Sequence, residues 1–138
     1  VAASCLLPLP DPPTTAESMT FGVDGLRSIR RLVGAHAAGA GMSDDRIGEF
    51  QIAVNEVATN TIVHTDGLGT LRVWGDDEAV VCEITDEGRI TDPLAGRRRV
   101  GPDQASGRGL LLAAMMSDLL QIVVGETGNI IRIHKNIA

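Results

Sequence analysis

The stretch Ser43 to His64, SDDRIGEFQIAVNEVATNTIVH, decides the fold. It opens on a serine whose hydroxyl can accept a backbone N–H at a helix start. Asp44 and Asp45 then lie in the first turn, against the positive end of the helix dipole. At about 100° per residue, Ile47, Phe50, Val54, Val57, Ala58 and Thr61 fall on one side, which predicts a helix running to about His64 with that side on a core. Glu56 lies opposite Ile47. Asn60 and His64 follow Glu56 at successive i+4 steps, so three polar side chains form a slowly turning row beside the apolar stripe.

Upstream, Leu26, Ile29, Val33 and Ala37 recur at helical spacing, and the Gly-Ala-Gly at 39–41 ends that helix. Ser18 to Val23 reads as a short edge strand. The first 17 residues, VAASCLLPLPDPPTTAE, carry four prolines and no periodicity, so residues 1–17 are expected to be a leader or linker outside a domain at 18–138. The chain begins at Val1, which a longer parent protein, processing or a tag scar would each produce. Downstream, TLRVW (70–74) and AVVCEIT (79–85) read as a hairpin joined through GDDE, and LQIVV (120–124) and NIIRIHK (129–135) repeat the pattern around GETG. Between the hairpins lie a polar Arg- and Gly-bearing stretch and an apolar helix from about Leu110 to Ser117. The sum is an α+β fold, a two-layer α/β sandwich with a mixed sheet and about three helices on one face. There is no internal repeat.

Composition narrows the function classes. The chain has 138 residues, 43% of them hydrophobic, enough for one globular core. No apolar run approaches the length of a membrane span and no signal peptide is visible, which gives a cytoplasmic expectation. A net charge of −6 argues against direct nucleic-acid binding. Cys5 and Cys82 lack zinc or redox spacing and read as free thiols. The single lysine, Lys135, lies outside any phosphate-binding GxxxxGK[ST] loop, so a nucleotide site must work without one.

Three short motifs carry the chemistry: Glu56-x-x-x-Asn60 on the long helix, Asp86-Glu87-Gly88 at a strand end, and Gly107-Arg108-Gly109-Leu110 opening a helix. Each alone has an ordinary reading, as a solvated helix face, a turn and a flexible lead-in. Together they meet the needs of a nucleotide. An aspartate at a strand end can accept a hydrogen bond from an adenine amine, and Gly88 lets a base lie close to backbone. Glycines 107 and 109 let backbone N–H groups approach phosphate at a helix N-terminus. Asn60 offers a neutral oxygen to Mg²⁺, with Glu56 one turn away.

On these residues the chain resembles the Bergerat (GHKL) ATP-binding domains. AVNEVATNTIVHT looks like their N-box, and ITDEG and SGRGLLL look like their two glycine boxes. In order and spacing it is most similar to the bacterial serine-kinase anti-sigma factors, over about residues 20–137. The resemblance implies ATP and Mg²⁺ as ligands, Glu56 as general base and Asn60 as magnesium ligand. It also implies Asp86 and Gly88 at adenine, and Ser106, Gly107, Arg108, Gly109 and Leu110 around the phosphates. A short lid, about Arg89 to Ala105, would close over the site. The implied partners are a sigma factor and a STAS-type anti-anti-sigma antagonist phosphorylated on serine, with homodimerisation implied by resemblance alone. Exposed apolar positions on the first helix would serve a dimer, or the same residues would pack on the sheet.

The sequence departs from the family pattern at three places. The usual DxGxG lacks its second glycine at Ile90, a hydroxyl expected in the last hairpin is replaced by Ile130, and Ala105 stands where relatives carry a basic residue. Two rivals to the kinase follow: a non-catalytic protein-binding regulator of the same fold, and the ATP-binding domain of a sensor histidine kinase, against which the short lid argues. Arg97, Arg98 and Arg99 read either as solvated lid surface or as a phosphate contact. His64 reads first as a helix-end histidine with local hydrogen bonds.

Overall fold

A computed structural model describes residues 2–4, 9–64, 68–86, 104–124 and 128–138. The elements are β1 (Ala2–Ser4), β2 (Glu17–Phe21), α1 (Leu26–Gly39), α2 (Asp44–His64), β3 (Gly69–Gly75), β4 (Ala79–Asp86), α3 (Gln104–Met116), β5 (Leu119–Val124) and β6 (Asn129–Asn136). A 3₁₀ turn at Val23–Gly25 leads into α1. The strands form one sheet in the order β1-β5-β6-β4-β3-β2. Five are antiparallel to their neighbours, and β1 adds in parallel to the free edge of β5, pairing Ala2 with Leu119. The mixed α+β sandwich expected from the sequence is the fold observed, with α1, α2 and α3 on one face.

Alternation along the strands sets which residues meet the helices. Leu71 and Val73 on β3 pair with Ile84 and Cys82 on β4, which in turn pair with Ile131 and Ile133 on β6. These side chains form the core with Ile29, Val33 and Ala37 of α1 and Phe50, Val54, Val57 and Ala58 of α2. The apolar row of α1 is therefore directed inward, which decides between the two roles open to it. Burial pushes the Cys82 thiol up, as expected of an inert core cysteine. The start of α2 is as the sequence dictates, with Ser43 Oγ accepting from the Arg46 backbone N–H at 3.3 Å. Gly41, at φ 93°, adopts the left-handed conformation that lets the chain turn out of α1.

Two expectations change. The Pro-rich segment was expected outside the fold, yet Ala2–Ser4 add a strand to the sheet and residues 9–12 lie over its helix-free face. Prolines suit both the extended backbone and the crossing of a face where no ladder N–H is needed. The third helix opens at Gln104, six residues before Leu110. Glycines 107 and 109 each disfavour helix by about 1 kcal/mol, but packing against α2 overrides that local preference.

A latch fixes the relative position of α2 and α3. Lys135, only 4% exposed, donates from Nζ to Glu49 Oε1 of α2 and to the Met116 carbonyl ending α3, both at 2.7 Å. Beside it, Arg46 donates to Asp118 Oδ2 at 2.8 Å and to the Asn136 carbonyl at 2.9 Å. The lone lysine is thus a structural clamp at one end of the helix pair.

On the opposite sheet face His134 hydrogen-bonds Gln121 at 2.7 Å. Burial first, and the Arg132 charge second, hold its imidazole below the ordinary histidine range. The unfolded chain takes up that proton near pH ~6.5 while the folded chain resists it, so stability is full above that pH and falls as pH drops through it. Urea unfolding is expected to give lower stability at pH 5.5 than at 7.5, with a shallower dependence in His134→Gln. An unchanged dependence in that variant would remove the assignment.

Candidate functional site

Helices α2 and α3 pack antiparallel, so the latch at Glu49 and Met116 sets what meets further along. Glu56 and Asn60 there face Gly109. A methyl carbon in place of the Gly109 hydrogen would stand 3.2 Å from Glu56 Oε2, 3.4 Å from Asn60 Nδ2 and 3.5 Å from Asn60 Oδ1. Glycine is what lets the backbone of α3 come this near to the two polar side chains. The first and third motifs, 49 residues apart from Asn60 to Gly109, are brought together.

The second motif is placed through its backbone. Asp86 ends β4 in register with Gly69. At Gly69 an added Cβ would be 2.6 Å from Phe21 Cζ and 3.0 Å from Thr61 Cγ2, and Thr61 directly follows Asn60 on α2. The strand end carrying Asp86 therefore stands at the same end of the domain as Asn60. Gly88 and residues 89–103 of the expected lid, with Arg97, Arg98 and Arg99, lie outside the described residues, as do the side chains of His64, Asp86, Ser106 and Arg108, while the last lid positions, 104 and 105, belong to α3. Leu110 is partly buried against the core. The backbone of Ser106 and Gly107 belongs to the opening turn of α3, whose first four N–H groups have no partner within the helix. The N–H of Gly109 lies beyond that turn.

Ile130 lines the helix-free face of the sheet together with Thr85 and Val123. Its missing hydroxyl therefore does not bear on a site between α2 and α3.

Sequence reasoning missed a second opening beside Glu56. A cavity of about 270 Å³ between α1 and α2 is lined by Arg30, Gly48, Gln51, Ile52, Asn55 and Glu56. Gln51 Nε2 spans the helices by donating to the Arg30 carbonyl at 2.9 Å, and Asn55 Oδ1 is buried with no hydrogen-bond partner among the described residues. Only the i+4 spacing of Gln51 and Asn55 hinted at this. Among the described residues no group of three His, Cys, Asp or Glu side chains would hold a metal by itself. A single amide oxygen such as Asn60 Oδ1 suits Mg²⁺, which takes one or two protein oxygens and completes its shell with water and phosphate.

Residues 20–135 match the Histidine kinase-like ATPase domain family, and the chain belongs to it. The fold is similar to the crystal structure of the RsbU and RsbW domains of Rv1364c from Mycobacterium tuberculosis, with TM-score 0.65 and 18% identity over 89% of this chain. This chain spans 32% of the length of that one. No curated protein matches the chain. No described helix is long and apolar enough to cross a membrane.

Proposed function

We propose that the chain is an ATP-binding regulator that phosphorylates a serine of a STAS-type antagonist protein and, separately, holds a sigma factor inactive. The observation that carries this reading is the meeting of Glu56 and Asn60 at Gly109. A proton acceptor and an oxygen ligand there adjoin the sixth residue of α3, next to the opening turn whose free N–H groups favour phosphate.

In this reading Asp86 and Gly88 receive adenine, and Ser106, Gly107, Arg108, Gly109 and Leu110 surround the phosphates. The free N–H groups opening α3 supply the hydrogen bonds. Asn60 holds Mg²⁺, which when bound neutralises charge on the phosphate oxygens. Glu56 accepts the serine proton as the hydroxyl oxygen attacks the γ-phosphorus in line with the departing ADP oxygen. Glu56 also lines the α1–α2 cavity, and in this reading an acceptor serine approaches it from that side.

A second reading, a partner-binding regulator without turnover, is favoured by one observation: Gly109 sits within α3, where its N–H is committed to the helix. The two readings part in a direct measurement. Calorimetry is expected to show magnesium-dependent ATP binding, reduced at least about tenfold in Asn60→Ala by loss of the metal ligand. Absence of binding in the parent chain would sink both the kinase and any nucleotide role. If ATP binds, labelled nucleotide incubated with candidate antagonists shows whether a serine is phosphorylated.

A further inference from the structure

The face of the sheet turned away from the helices holds a second built surface, and none of its residues belongs to the nucleotide reading. Arg72, Glu83, Thr85, Val123, Ile130 and Arg132 form its floor, with residues 9–12 above them, around a cavity of about 530 Å³. Arg132 is held on three sides. Its Nε donates to Glu83 Oε1 at 2.8 Å, its guanidinium lies 5.2 Å from the Trp74 ring centroid, and its terminal nitrogen donates to the Pro10 carbonyl. Both members of the ion pair are nearly inaccessible, at 7% and 5%.

Among the described residues that line the cavity floor, charge is unbalanced: Arg72 reaches Glu83 only at 3.8 Å, so two guanidinium groups share one carboxylate. Asp11, on the segment above, brings the missing negative charge to the cavity. The segment itself reads Leu9-Pro10-Asp11-Pro12. Its prolines have no N–H to leave unpaired over the cavity, and they keep the backbone extended with its carbonyls available. A fixed cation beside an aromatic ring and apolar side chains, meeting a proline-bearing strand, is a recurring way of recognising peptides.

We propose that this face is a docking surface for an extended, proline-bracketed acidic segment of a partner protein, and that residues 9–12 are its resident ligand in cis. The partner's segment seats where residues 9–12 now lie, its carbonyl on Arg132 and its carboxylate near Arg72. The tethered segment competes at an effective concentration of order millimolar, so a partner must outbid or displace it.

Trp74, the only tryptophan, touches Arg132 and reports the state of the surface. The full chain carrying Leu9→Ser and Pro12→Ser is mixed with a synthetic peptide of residues 8–15, and Trp74 emission and its quenching by acrylamide are followed. The substituted chain is expected to show higher quenching than the parent and a saturable return towards the parent value as peptide is added. A peptide with lysine at the Asp11 position is expected to bind at least about tenfold more weakly. Should the double variant not fold, Asp11→Lys, at an exposed position, replaces it in the same assay. A folded variant without a saturable response, or equal binding of a scrambled peptide, overturns the proposal. So does parent emission that varies with protein concentration alone, since that would make a second copy the occupant.

Discussion

Glu56→Gln is expected to lower phosphoryl transfer to an antagonist serine by about 10²–10⁴ while leaving ATP affinity unchanged or slightly tighter. The substitution keeps the size of the side chain and its ability to hydrogen-bond, so the contact with Gly109, where Glu56 Oε2 stands 3.2 Å from the position of an added Cβ, survives. What is lost is a group able to accept a proton. What is also lost is a negative charge near the phosphates, and that can only favour ATP. Single-turnover transfer beside nucleotide titration separates the two effects. A rate within about threefold of the parent would remove Glu56 from the chemistry. Weaker binding alone would make it a structural partner of α3. The prediction stands with the kinase reading, because a regulator without turnover has no rate to lose.

The parts of this site differ in how far the sequence exposed them. The α2 stripe was legible because a 3.6-residue period repeats over 21 residues, and it selects Phe50, Val54, Val57 and Ala58 of the observed core, though not the buried Ala53. The strands were legible for the same reason at period two. The start of α3 was not, because two glycines signal a break locally, and what holds them in a helix is a neighbour 49 residues earlier in the chain. The role of Lys135 was hidden for a similar reason: its partners Glu49 and Met116 come from two other elements. The Pro-rich segment was misread since composition marks it as extended without saying that a sheet edge and an open face await it. Local preference is written in the sequence, while the pairing that overrides it arises only when the elements are assembled.

The Glu83 and Arg132 pair is the clearest such case and carries the largest expected effect on stability. Each residue sits alone among apolar neighbours, in VVCEIT and NIIRIHK, and only the antiparallel register of β4 on β6 puts them opposite one another. Glu83→Ala leaves the Arg132 guanidinium buried without its carboxylate and takes from Arg72 the carboxylate 3.8 Å away. Urea unfolding is expected to show a loss of about 3–5 kcal/mol, the range for breaking a buried pair from one side. The double substitution Glu83→Leu, Arg132→Met is expected to recover most of that loss, because a buried ion pair contributes little over a well-packed apolar pair. A single variant within about 1 kcal/mol of the parent would mean that water reaches the pair. The recovered double variant also has no donor for the Pro10 carbonyl, so it separates stability from docking: its sheet is intact, while its hold on residues 9–12 is weakened.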